Sequence, residues 1–307
     1  MKRRSILLAG PLAALGATLP ASARAQATPS HPLFFRNDPL KYMEAKFPHG
    51  GAGTVAYMEL TPRDRFTTQF LFLHRGRLMP KSGLGEHVHR RMEEMYVMLE
   101  STACEFTVGG RTAVLPGPAM ALCPMGCSHG IYNPTEHPVE FMNIGIALEN
   151  RKYDAVDFAK ENDLTERKLD SPPPFLWNHM DKNALREFPA FYKGKGTMFI
   201  RQLWLTESFR TNWGFVNHYL VPAGNSIGYH RHEIMEEVYY IHSGAGRLTI
   251  DDATLDVRAG DAVTCPLKSS HGFYNNSGKE TEIISIAVPL EKGKYDGITL
   301  GDDLTKR

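Results

Sequence analysis

A chain of 307 residues with 42% apolar and 22% charged residues can build the cores of two ordinary domains, and its composition excludes a disordered polypeptide. Of its 35 basic residues, four fall in the first 25 positions, which hold no acid, and the remaining 31 face 34 acidic residues, a balance of −3. That balance excludes the basic footprint that would recruit nucleic acid or an anionic membrane surface.

The first predicted element is a signal peptide over residues 1–25. Lys2, Arg3 and Arg4 form a basic start, Ile6 to Leu19 is apolar apart from interruptions such as Gly10, Pro11 and Gly16, and Ala23, Arg24 and Ala25 offer an A-x-A cleavage site. An apolar stretch of about 14 residues is short of the roughly 20 that a membrane span needs. The reading is therefore export to the periplasm or beyond, with a mature chain starting near Gln26. Arg3 to Leu8 also resembles the twin-arginine export motif, with Ile6 where that motif prefers Phe. No later segment reads as a span.

Beyond this segment the second half of the chain copies the first at an offset of 142 to 143 positions. Glu86, His87, Val88 and His89 match Tyr229, His230, Arg231 and His232. Glu93, Glu94, Met95 and Tyr96 match Glu236, Glu237, Val238 and Tyr239. Cys123 and Pro124 match Cys265 and Pro266, and Ser128 to Asn133 matches Ser270 to Asn275. Lys152, Tyr153 and Asp154 return as Lys294, Tyr295 and Asp296. Such a match implies a duplicated and fused gene.

In chain order, short apolar runs alternate with Gly, Pro and Asn clusters, the pattern of all-β proteins. Strands are predicted at Gln69 to Leu73, Met95 to Leu99, Val139 to Leu148, Phe215 to Val221, Val238 to Ile241 and Glu282 to Val288. Helical patterns are few: around Tyr153 to Lys168, and Lys182 to Phe188. Ser171, Pro172, Pro173 and Pro174 cannot lie inside a helix or central strand and read as a linker. The expected domains are residues 26–168 and 169–307.

His87 and His89 are spaced i, i+2, so on a strand both rings leave the same face. Glu94 follows after a turn, and His129 arrives later behind Pro- and Gly-rich turns; His230, His232, Glu237 and His271 repeat the set. Three imidazoles and a carboxylate suit a borderline divalent cation, Fe or Mn first, with Ni, Cu, Co or Zn as alternatives. Such an ion relieves the cost of burying these donors. Either glutamate of each adjacent pair satisfies the spacing. Glu94 and Glu237 directly open apolar strands, so alternation points them inward. Glu93 and Glu236 are then expected to face away from the metal, where Gln would change stability by no more than about 0.5 kcal/mol.

These motifs resemble the cupin family, whose first motif is G-x5-H-x-H-x3-4-E-x6-G and whose second is G-x5-P-x-G-x2-H-x3-N. Gly224, His230, His232, Glu237 and Gly244 fit the first, and Gly260, Pro266, His271 and Asn275 fit the second, with Lys268 at the usual Gly. In the first copy His87, His89, Glu94, Gly126, His129 and Asn133 fit, Ser101 replaces the closing Gly, and the Gly117 to Pro124 interval is one residue longer. The departures fall at turn glycines rather than at ligands. The resemblance implies an all-β fold of two tandem, jelly-roll-like cupin β-barrels with a few short helices. It also implies a small-molecule partner and leaves a homo-oligomer open, while the charge balance and the lack of a later span give the expectation of no nucleic acid and no membrane.

The leading functional expectation is a metal-dependent oxidoreductase, dioxygenase-like, acting on a small oxygenated or carboxylated compound. The alternatives are a redox-neutral decarboxylase, lyase or isomerase, and a non-catalytic periplasmic binding protein. Tyr96 and Tyr239 share the inward face with the glutamates and are the candidate catalytic groups. Arg75 and His218 occupy equivalent positions expected on a solvated strand face. The four cysteines are expected to form no disulfide, since Cys123 and Cys265 are repeat equivalents in separate barrels. No Ser-His-Asp arrangement, phosphate loop or dinucleotide fingerprint is present.

Overall fold

The computed structural model describes residues 31–158 and 167–307. The predicted signal peptide lies outside the described residues, as does most of the second half of the helix expected at 153–168. The chain is nearly all β, with its described helical content confined to 3-10 turns of three residues. The expected fold class is what the structure shows.

Each half builds a seven-stranded and a five-stranded antiparallel sheet. In the N-terminal half the larger sheet has Met92–Met98 between Ala119–Cys123 and Val139–Ala147, followed by Phe70–Leu78, Thr54–Thr61 and Met43–Lys46. The smaller sheet centres on Ser82–Val88 and Ser128–Asn133. The C-terminal half repeats the arrangement, with Met235–Ser243 as counterpart of Met92–Met98, and Ser226–Arg231 beside Ser270–Tyr274 in its smaller sheet.

Alternation along one strand explains how the layers stack. On Met92–Met98, Tyr96 and Met98 pack with Phe106, Leu84 and Ile131 of the smaller sheet, inside their own half. Met95 and Val97 project the other way and pack with Val238, Tyr240 and Ile286 of the opposite half. The strand is buried along its whole length, because both of its faces are covered. The two larger sheets thus lie back to back around a shared core that includes Trp204, Trp213, Phe70 and Leu73.

The halves also exchange edge strands. Phe34–Arg36 pairs with Asp261–Cys265 in the C-terminal large sheet, and Trp177–His179 pairs with Ala119–Cys123 in the N-terminal one. Arg36 fixes the first exchange by donating through Nε and an Nη to the two carboxylate oxygens of buried Asp261, at 2.8 Å each.

Three local expectations are corrected. The helix expected at Lys182 to Phe188 is a 3-10 turn, Lys182–Ala184, followed by an edge strand, Arg186–Pro189, paired with Thr197–Leu205. Residues Val156–Asp157, inside the other expected helix, form a short strand on Ser82–Val88. Arg75 and His218 are buried, not solvated: Arg75 donates to Tyr240 Oη at 3.0 Å and pairs with Glu140, while His218 Nε2 meets Glu282 at 2.9 Å. All four cysteines are free, and Cys104, Cys123 and Cys265 are buried.

Candidate metal centres

Register brings the sequence-distant histidines together. His87 on Ser82–Val88 lies directly opposite His129 on Ser128–Asn133, and His230 lies directly opposite His271. Glu94 and Glu237 reach the same points from the large sheets. In each cluster one donor atom from every residue lies within 4.8 Å of all the others, and all eight residues are buried. The Glu94 carboxylate is 3.2 Å from His89 Nε2, 3.3 Å from His129 Nε2 and 4.0 Å from His87 Nε2. The corresponding distances from Glu237 are 3.2 Å to His232, 2.9 Å to His271 and 3.9 Å to His230.

The other ring nitrogens decide what these contacts mean. His87 Nδ1 donates to the Gly85 carbonyl at 2.8 Å, His129 Nδ1 to Cys127 at 3.1 Å and His230 Nδ1 to Gly228 at 2.8 Å. His89 and His232 bind the carbonyls of Asp154 and Asp296 in the same way. A carbonyl only accepts, so Nδ1 carries the proton and the Nε2 lone pair faces the carboxylate. Acceptors facing acceptors in a buried space repel unless a cation or extra protons lie between them. His89 and His232 Nε2 accordingly have no hydrogen-bond partner among the described residues. The donor set fits a divalent transition metal, with backbone carbonyls fixing the tautomer of every cluster histidine except His271, whose Nδ1 has no partner among the described residues.

The electrostatics follow the same logic. Burial alone would raise the Glu94 and Glu237 carboxyls, but the adjoining imidazoles hold both well below the usual range. Burial pushes His87 down to about 2 and His230 to about 4. Burial lowers His89 and His232 as well, but the glutamate beside each together with Asp154 or Asp296 moves both up.

Tyr96 and Tyr239 lie beside the clusters, with ring centroids 5.9 Å from His129 and 5.5 Å from His271. Both phenols are fully buried, and burial holds them protonated. Glu93 and Glu236 face away from the clusters as expected, but they are not on a surface. Glu93 accepts from the Arg210 and Thr211 backbone N–H groups and from Thr211 Oγ1, at 2.8 to 3.0 Å. Glu236 accepts from the N–H and hydroxyl groups of Thr67 and Thr68, at 2.6 to 3.1 Å. Each carboxylate crosses into the other half, so the expectation of harmless surface electrostatics there is corrected.

Sequence reasoning missed further residues. His49 stacks on His87 with centroids 3.8 Å apart, and its Nδ1 lies 2.7 Å from Asp157. Its counterpart Tyr192 stacks on His230 at 3.7 Å. The offset of the repeat pairs His49 with Tyr192, but no motif marks either. Asp154 and Asp296 were visible as a repeated Lys-Tyr-Asp without a role; their carbonyls orient the second histidine of each cluster. Beside the N-terminal cluster a cavity of about 460 Å³ is lined by His87, Glu94, Tyr96, His74 and Asn143, by the charged Glu59 and Arg63, and by apolar and aromatic side chains.

Comparison with known proteins agrees with this architecture. Residues 217–287 match the Cupin domain family. The chain is 33% identical over 70 residues to an uncharacterized protein of Methanocaldococcus jannaschii, an alignment covering 23% of this chain and 56% of that protein. It is 27% identical over 97 residues to an oxalate-binding protein of Thermotoga maritima, covering 32% of this chain and 80% of the relative. A structure of oxalate decarboxylase from Bacillus subtilis superposes with a TM-score of 0.57 at 15% identity, covering 87% of this chain and 78% of that one. AerE from Microcystis aeruginosa superposes with a TM-score of 0.54 at 16% identity, over 85% of this chain and 100% of that one. At such identities the structural likeness shows a shared fold. In this chain that fold is two similar all-β units in tandem, each with a buried His/Glu cluster able to hold a metal, and the second contains the Cupin domain match.

Proposed function

We propose that each cluster holds one divalent transition metal, Mn first, and that the chain uses it for redox-neutral chemistry on a small carboxylate or carbonyl compound, as a decarboxylase, lyase or isomerase. The observation that carries the metal reading is the set of inward Nε2 lone pairs facing a buried carboxylate. The direction of the chemistry is supported by the similarity to proteins described as binding or decarboxylating oxalate, one of them studied for its Mn(II) centres. A dioxygenase-type oxidoreductase, the leading expectation from sequence, has less support.

His87, His89, Glu94 and His129 would hold one ion, and His230, His232, Glu237 and His271 the other. A bound ion would polarise a ligand oxygen as a Lewis acid. Tyr96 presents a protonated, unpartnered Oη beside the N-terminal cavity and can donate to a ligand oxygen there. The apolar side chains Leu71, Phe72, Leu84 and Phe141 in the cavity walls would strengthen polar contacts made beside them. Simple binding without turnover is the second reading, favoured by the oxalate-binding relative.

His87→Ala and His230→Ala should each remove about one metal equivalent, read by metal analysis, with the double variant nearly empty. Product formation from a carboxylate in the absence of dioxygen supports the redox-neutral reading, and strict dependence on dioxygen uptake overturns it. Export belongs to the same proposal, supported by Lys2 to Arg4 and the Ala23, Arg24, Ala25 site. An intact mass that retains Met1 in protein recovered from the periplasm would count against it.

A further inference from the structure

We infer that the ligand of the N-terminal half carries an aromatic or alicyclic ring behind its acid head, and that the C-terminal cluster is closed to such a ligand. This rests on the metal-dependent carboxylate reading above and adds a substrate class to it.

The cavity beside the N-terminal cluster, about 460 Å³, is several times larger than a two-carbon diacid requires. Of its lining residues only His87 and Glu94 belong to the cluster, and Glu59 and Arg63 are its other charged groups. Its walls include Leu71, Phe72, Phe141 and Leu84, with Tyr57 and Tyr153. Phe72 and His74 form a flat double wall, with ring centroids 4.3 Å apart and planes 4° from parallel. Gly145 makes room for that wall, since a Cβ there would stand 2.5 Å from the Phe72 ring. Apolar walls of this kind gain free energy by covering a ring, and gain nothing from oxalate itself.

Polar groups in the cavity specify the rest. Tyr96, Asn143 and His74 occupy directly opposed positions on three neighbouring strands, forming a row across the sheet. Tyr96 Oη and Asn143 Oδ1 are buried and have no partner among the described residues, on side chains 0% and 6% exposed. Such groups are costly unless a ligand or water completes them. A hydroxy acid supplies both needs: an oxygen that accepts from Tyr96 and a hydroxyl that donates to Asn143.

The repeat provides an internal control. Where the N-terminal half has Gly76, the C-terminal half has Tyr219, 2% exposed, with its ring 6.3 Å from Tyr239 and 6.2 Å from Phe191. Asn217 donates to the Tyr219 hydroxyl at 2.9 Å. Where the first half has unpartnered Asn143, the second has Ser285, whose hydroxyl donates to Glu237 at 2.7 Å. In the C-terminal half Tyr219 fills space beside Tyr239, and the position of unpartnered Asn143 is taken by a serine whose hydroxyl is already bonded to Glu237.

Mandelate and lactate share an α-hydroxy acid head and differ by a phenyl ring against a methyl, so they isolate the ring. Calorimetric titration of the full chain loaded with Mn(II) should find mandelate binding about tenfold or more tighter than lactate, at one mandelate per chain. His87→Ala should abolish the mandelate preference. Tyr153→Ala, which removes one half-exposed aromatic wall of the cavity, should narrow the ratio severalfold. Metal content measured on the same samples separates the two levels of the argument. Protein holding two metal equivalents that binds both acids equally, or that binds two mandelates, overturns this inference and leaves the metal reading standing. Protein that stays empty in excess Mn(II) overturns both.

Discussion

On the strand Met92–Met98 adjacent residues project to opposite sides, so Glu94 enters the core of its own half while Glu93 crosses into the other. Replacing Glu94 or Glu237 with Gln keeps the shape and removes the anion that faces three imidazoles. Metal affinity at the altered site should fall by about tenfold to a hundredfold, measured by competition with a chelator of known affinity. Replacing Glu93 or Glu236 with Gln turns an amide N–H₂ toward backbone N–H donors and leaves some of them unpaired. Each of these variants should lose about 2–4 kcal/mol of stability in denaturant unfolding, with both metals retained. Metal loss in the Glu93 and Glu236 variants together with intact metal in the others would mean that both strands are displaced by one residue.

At the scale of elements, the repeat places an equivalent ion pair on equivalent strands and then alters it. Arg75 and Glu140 of the first half correspond to His218 and Glu282 of the second. Burial would raise the Glu282 carboxyl, but His218, Lys182 and Ser243 hold it down to about 2. A carboxyl lowered on folding contributes stability above its unfolded value, near 4.5, and loses it as the pH falls toward 2. Unfolding midpoints should therefore drop between about pH 4.5 and 2, and Glu282→Gln should flatten the profile in that window. The segment 182–189 shows where local pattern misleads. Its apolar and polar residues are compatible with a helix, but hydrogen bonding to the edge of Thr197–Leu205 draws Arg186–Pro189 into the sheet.

Taken whole, the molecule has its two large sheets packed back to back, and each half donates an edge strand and a buried glutamate to the other. The halves should accordingly unfold together. Removing metal with a chelator leaves two fully buried carboxylates to be satisfied by protons on neighbouring imidazoles. The melting midpoint should fall by roughly 5 °C or more and recover on adding Mn(II), followed by calorimetry. The all-β class, the duplication and the eight cluster residues were legible in the sequence, because strand alternation and motif spacing are local and the repeat states them twice. What covers the far face of a strand is not local. The sequence puts Glu93, Glu236, Arg75 and His218 on the face opposite their cluster, and nothing in either copy says whether that face meets water or another sheet. Only the back-to-back packing buries them. The same holds for the cavity: Gly76 and Tyr219 can be paired by counting, but that Tyr57 closes over Gly76 while the Tyr219 ring packs toward Tyr239 and Phe191 depends on which side chains converge there from strands far apart in the chain.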